Sequence, residues 1–192
     1  MTGNVVFLAF AVAGAPGLSI TRSLTALIAF MIGALIGGRV AARLSEVLTP
    51  GWITTALSLE SALLLAATLV SIRFRDSSGS SFQLYSIIVL TACAMRIRNA
   101  TVRKMAVPDL TTTVLTLTVT GLAADSKFAG GTSPRWRRRL LAVLLMFAGA
   151  ALGTLLLRRS VVLALATATL LSICCVAISM KQRVALATRA AI

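Results

Sequence analysis

The chain has no histidine, only five carboxylates and only three cysteines, and each shortage removes a class of chemistry. Without imidazole there is no histidine acid–base catalysis and no histidine metal site. The carboxylates Glu46, Glu60, Asp76, Asp109 and Asp125 are scattered and offer no convergent catalytic set. Cys93, Cys174 and Cys175 form no C-x-x-C pair and lie in apolar runs, where a thiol packs as a small apolar residue. The sequence therefore implies no enzyme, no metal and no cofactor. Charge is scarce as well: 12% of the 192 residues are charged and 58% are hydrophobic. Soluble domains carry roughly 25% charged and 45–50% apolar residues. With a mean hydropathy of +0.95, too little polar surface remains to wrap a water-facing core. The chain reads as an integral membrane protein.

What is plentiful is positive charge, +14 net, but the basic residues flank apolar segments. That placement fits a lipid bilayer with anionic headgroups rather than nucleic acid. Apolar runs occupy Met1–Gly14, Leu24–Gly38, Trp52–Ile72, Leu84–Met95, Leu110–Ala124, Leu140–Leu157 and Val161–Met180. Spanning takes about 20 apolar residues, which two of these runs reach alone and Leu24–Gly38 reaches with its flanks. Met1–Gly14, Leu84–Met95 and Leu110–Ala124 are shorter, as broken or re-entrant helices are. Met1–Gly14 lacks a basic leader and a cleavage pattern, so it reads as mature structure rather than signal peptide. Residues 1–192 form a single transmembrane domain with no soluble segment long enough to fold apart.

An internal repeat organises the runs. Thr2-Gly3-Asn4-Val5-Val6-Phe7-Leu8 reads like Thr111-Thr112-Thr113-Val114-Leu115-Thr116-Leu117, and a Gly-Ala-x-x-Gly follows each, at Gly33–Gly37 and Gly149–Gly153. The first repeat covers residues 1–72 and the second 84–180. The second has a helix, Leu84–Met95, before its Thr-rich segment; the first has none, and Met1 lies inside the motif. A further apolar segment is therefore expected upstream. Charge weighs the topology. If all seven runs cross, the cations divide eight against eleven and decide nothing. If the two Thr-rich runs enter and leave without crossing, Arg22, Arg73, Arg75, Arg158 and Arg159 fall on one side and the remaining fourteen on the other. Three crossings per complete repeat make the halves inverted, as in many secondary transporters. The expected fold is an all-α polytopic helical bundle of two inverted repeats, with short Thr-rich broken or re-entrant helices.

Met1-Thr2-Gly3-Asn4, Ala94-Met95-Arg96-Ile97-Arg98-Asn99-Ala100 and Val107-Pro108-Asp109-Leu110-Thr111-Thr112-Thr113-Val114-Leu115-Thr116 together resemble the YoaK-like family of bacterial multi-pass membrane proteins, a domain of unknown function. The resemblance runs nearly the whole chain. It implies a bacterial inner-membrane location and a further helix before Met-Thr-Gly-Asn, and it supplies no substrate. Arg96 stands where the family pattern usually has glycine, which puts close backbone packing at Met95–Ile97 in question.

Three groups of residues are candidates for chemistry. Thr2, Gly3, Asn4, Thr111, Thr112, Thr113 and Thr116 suit helix ends inside a membrane, where Ser, Thr and Asn side chains satisfy freed backbone groups. Two such ends meeting near the midplane make a small-solute site, or simply glue between helices. Arg98 and Asn99 sit in a basic stretch that is either a headgroup anchor or an anion-attracting vestibule. Glu60 lies near the middle of Trp52–Ile72, where a carboxylate costs about 2.5–3.5 kcal/mol on insertion scales and normally faces the protein interior. It is a proton-coupling residue, a cation site, or a protonated acid bonding two helices. Its candidate partners are the hydroxyls of the Thr-rich segments, or an arginine such as Arg98 if the basic stretch folds inward. Arg135-Trp136-Arg137-Arg138-Arg139 reads as an interfacial anchor. Transport or permeation of a small, anionic solute is the leading function. A non-transporting membrane scaffold or regulatory subunit is the alternative, and either leaves room for a homo-oligomer.

Overall fold

The computed structural model describes residues 2–44, 51–73, 81–105, 115–132 and 136–190. All regular structure among them is helical: α1 Thr2–Val12, α2 Ile20–Leu44, α3 Gly51–Ile72, α4 Ser81–Met105, α5 Leu115–Ala124, a short 3-10 turn at Lys127–Ala129, α6 Trp136–Arg159 and α7 Val161–Ala190. Three segments are long and apolar enough to cross a membrane, Gly51–Ile72, Trp136–Arg159 and Val161–Arg183. At 1.5 Å per residue, α1 and α5 reach only about half the ~30 Å of a bilayer core.

The helices fall into two compact units, Met1–Ala100 with Val162–Ile192, and Thr101–Val161. In the first, α1 packs on α2. The chain reverses between them through Ala13-Gly14-Ala15-Pro16-Gly17, with Gly14 at φ +85° and Gly17 at φ +79°, where a Cβ would strain the backbone. Ser19 caps α2 by accepting the Arg22 N–H at 3.4 Å. Helices α2 and α4 run parallel. Tyr85 donates to Thr21 at 3.0 Å, and further along Arg96 stacks over Phe30 at 5.2 Å. A Cβ built on Gly33 would sit 3.5 Å from the Arg96 side-chain stem and 3.6 Å from Cys93 Cα. Helices α2 and α4 thus approach closely at Arg96, with the glycine, Gly33, on α2.

Helix α4 changes one expectation. Leu84–Met95 is not a short broken run: the basic stretch after it continues the same helix to Met105. Ala, Met and Arg are good helix formers, so the backbone stays regular where the hydropathy falls.

The second unit is tied at a loop. After α5, Gly130 at φ +79° closes the 3-10 turn, and Gly131 N–H bonds Ser126 O at 2.9 Å. Arg139 reaches back from α6 to donate to Gly121 O at 2.9 Å and to Asp125 Oδ2 at 2.5 Å. Arg139 is therefore a loop clasp rather than part of the interfacial anchor. Arg137 over Trp136 at 5.6 Å keeps the anchor's character.

Candidate polar site on the third and fourth helices

Two buried stripes run along α3. Thr54, Ser61 and Thr68 recur every seven residues, two turns of helix, and all three are buried. Each meets a hydroxyl of α7: Thr54 with Ser179 at 2.8 Å, Ser61 with Ser172 at 2.7 Å, and Thr68 with Thr169 at 3.0 Å. The order shows that the helices are antiparallel. The first two pairs keep strict register, and the third is displaced one turn along α7.

Hydroxyls carry one proton each, which fixes much of the bonding. Ser61 donates to Leu57 O at 2.9 Å, so Ser172 gives its proton across the seam. Thr68 and Thr169 both point at carbonyls of their own helices, Leu64 O and Leu165 O, each at 2.8 Å. One of the two must give its proton across instead. Interhelical hydrogen bonds inside membranes are worth about 0.6 kcal/mol on average, so three align the pair without locking it.

The second stripe is Glu60, Leu64, Ala67 and Ser71, spaced i, i+4, i+7, i+11 and all buried. Glu60 is 1% exposed, and Oε1 lies 2.5 Å from Arg98 Nη2 of α4, whose side chain is 44% exposed. Side chains of a helix lean toward its N-terminus, so Arg98 reaches back along α4 to the level of mid-α3. The other oxygen, Oε2, is buried with no hydrogen-bond partner among the described residues. An ionised carboxylate buried at that depth needs its countercharge, and Arg98 supplies it. Among the described residues, Glu60 is also the sole carboxylate within a helix.

The structure thus joins two of the candidates, Glu60 and Arg98. Asn99, next to Arg98, is half-buried. Among the Thr-rich candidates, Gly3 is exposed and Asn4 half-buried on α1, while Thr116 is exposed on α5 and Thr118 is the buried hydroxyl there. Thr111, Thr112 and Thr113 lie outside the described residues, as does the side chain of Thr2. The hydroxyl seam escapes a reading by hydropathy, because Ser and Thr in an apolar helix score as neutral. The seven-residue recurrence of Thr54, Ser61 and Thr68 is the signal that would have found it.

Among known proteins, residues 1–178 match the family model described as "Protein of unknown function (DUF1275)". The UPF0700 transmembrane protein YoaK of Bacillus subtilis (strain 168) is 30% identical over 125 residues, 65% of this chain. The chain spans about half, 53%, of that relative's length. No solved structure matches. An all-helical chain with three membrane-length apolar helices and a family match over nearly its full length is a multi-pass membrane protein, and it belongs to the DUF1275 family.

Proposed function

We propose that this protein is a transporter or permease for a small anionic solute in the bacterial inner membrane. The observation that carries the reading is the open side of Arg98. Its guanidinium sits at the depth of Glu60, nine residues into a 22-residue span, yet nearly half of the side chain is uncovered by protein. A cation at that depth facing hydrocarbon costs about 2.5–3.5 kcal/mol even on the mildest scales, so its open side belongs against a water-filled path or a ligand. Two inverted repeats, with the short α1 and α5 as their broken or re-entrant elements, fit the same reading. The reading assigns no catalytic residues.

The test is anion flux into liposomes containing the purified chain. Flux that falls at least tenfold in Arg98→Gln, counted per folded and inserted chain, is the expected result. A second reading, a scaffold or regulatory subunit, draws on the seam, whose hydroxyls bond one another and carbonyls of their own helices. A folded protein that moves none of a panel of small anions favours the scaffold.

A further inference from the structure

We propose that Arg98 and Glu60 form a paired site that takes up one proton and one small monovalent anion together, with the Glu60 carboxylate standing in for the anion when the site is empty. The inference deepens the transport reading and rests on it for its purpose, though its chemistry is testable by binding alone.

The charges around the site are few enough to count. Helices α2, α3, α4 and α7 carry no carboxylate but Glu60. From α4, Arg98 meets Glu60, while Arg96 is turned to Phe30 of α2. From α2, Arg22 lies at the first turn, next to the Ser19 cap, and the side chains of Arg39 and Arg43 lie outside the described residues. From α7 come hydroxyls, Ser172 among them. Its Arg183 reaches Gly51 at the start of α3, about 13 Å of helix from Glu60. Among the described residues, no other charged side chain contacts Glu60 or Arg98.

The exchange balances without moving net charge. Glu60–COO⁻ paired to Arg98⁺, plus H⁺ and X⁻, becomes Glu60–COOH beside Arg98⁺ paired to X⁻. The proton goes to the Glu60 carboxylate, whose Oε2 has no partner to lose. The Glu60–Arg98 ion pair opens, and the guanidinium fork takes the anion from its uncovered side. Neither form leaves an uncompensated charge in the span, which is the costly alternative. A single guanidinium also sets the ligand class. Planar anions such as nitrate and formate can replace a carboxylate on its fork, whereas chloride makes only a point contact.

Linkage supplies the test. Purified wild-type protein in weakly buffered detergent is titrated with nitrate, formate and chloride while pH and bound anion are followed. Saturation with nitrate or formate should draw about one proton per chain from solution. Affinity should weaken about tenfold per pH unit on the limb where Glu60 is ionised. In Glu60→Gln the anion should bind with no proton uptake and with affinity flat in pH. Arg98→Gln should lose binding at least tenfold. The proton count on wild type needs no variant, so a variant that misfolds leaves the test intact. In liposomes, an inward nitrate gradient should carry protons with it, and clamping the membrane potential should not alter the flux.

Anion binding or flux with no proton uptake overturns this inference and leaves the transport reading standing. Proton-linked binding without flux upholds the paired site and overturns transport. Absence of binding and of flux for all three anions overturns both.

Discussion

Helices α3 and α6 look alike to a hydropathy scan, each more than 20 residues long and apolar enough to cross a membrane. Their surroundings differ completely. Helix α3 buries Thr54, Glu60, Ser61, Leu64, Ala67, Thr68 and Ser71, whereas α6 buries none of its residues. Its leucines other than half-buried Leu156, and Phe147, stand exposed, and no heavy atom lies within 4 Å of a Cβ built at Gly149 or Gly153, outside the helix's own neighbouring backbone. In lipid, apolar side chains gain little by leaving tails for neighbouring helices, so they do not mark the packed face. The polar minority does. Five of the seven buried residues of α3 are polar or charged.

That contrast can be broken most severely at the ion pair. Arg98→Ala strands a carboxylate with no other charge at hand and should cost roughly 3–5 kcal/mol, the usual penalty for orphaning a buried charge. Glu60→Ala should cost less, because the half-exposed guanidinium left behind can still be hydrated. Reversible unfolding in bicelles measures both, and a milder effect for Arg98→Ala than for Glu60→Ala would contradict the assigned burial.

Next comes the loop of the second unit. A Cβ on Gly131 would lie 2.3 Å from Asp125 O, which is backbone and cannot swing aside. Gly131→Ala should therefore destabilise by about 1–3 kcal/mol, the range for overpacking. Gly121→Ala meets only the tip of Arg139, at 2.7 Å, and should cost less. Equal penalties for the two would mean that Arg139 is held as rigidly as the backbone.

The seam predicts a smaller number. In a double-mutant cycle of Ser61→Ala and Ser172→Ala, the coupling energy should be about 0.6 kcal/mol and below about 1.7. A coupling of zero would detach α7 from α3 at that level.

The least effect belongs to α6. Gly149→Ala and Gly153→Ala meet open space and should be neutral or stabilising by up to about 1 kcal/mol, through helix propensity. Loss of stability or of an oligomer in either variant would mean that this face is packed after all, and the contrast with α3 would fail.

Much of the fold was legible in the residues. Trp52–Ile72, Leu140–Leu157 and Val161–Met180 correspond to α3, α6 and α7, and the runs around Thr2 and Thr116 to the short α1 and α5. Glu60 was legible as an interior residue because the cost of a mid-span carboxylate leaves few alternatives. The extent of α4 was not. Hydropathy places Arg96 and Arg98 outside the span, whereas a helix ends only where its backbone bonding ends, and Arg98 finds its countercharge on another helix. The Arg139–Asp125 clasp was hidden for a related reason. Five consecutive residues rich in arginine read as one anchor, and only tertiary structure separates the one turned inward. Gly33 and Gly149 each open a Gly-Ala-x-x-Gly pattern, yet only Gly33 of the two has a neighbour within reach. Small residues permit close approach without compelling it.

The one-turn offset between Thr68 and Thr169 bears on how firmly each contact fixes register. A carboxylate and a guanidinium accept few substitutes, so an ion pair holds two helices at one height. A hydroxyl is both donor and acceptor, and its own helix offers a carbonyl whenever the partner withdraws. The third pair shows this directly: Thr169 sits one turn off the register of the other two, and both hydroxyls still lie within reach of carbonyls of their own helices. One side of α3 thus meets α7 through bonds that tolerate a change of register, and another meets α4 through the single charge pair between Glu60 and Arg98.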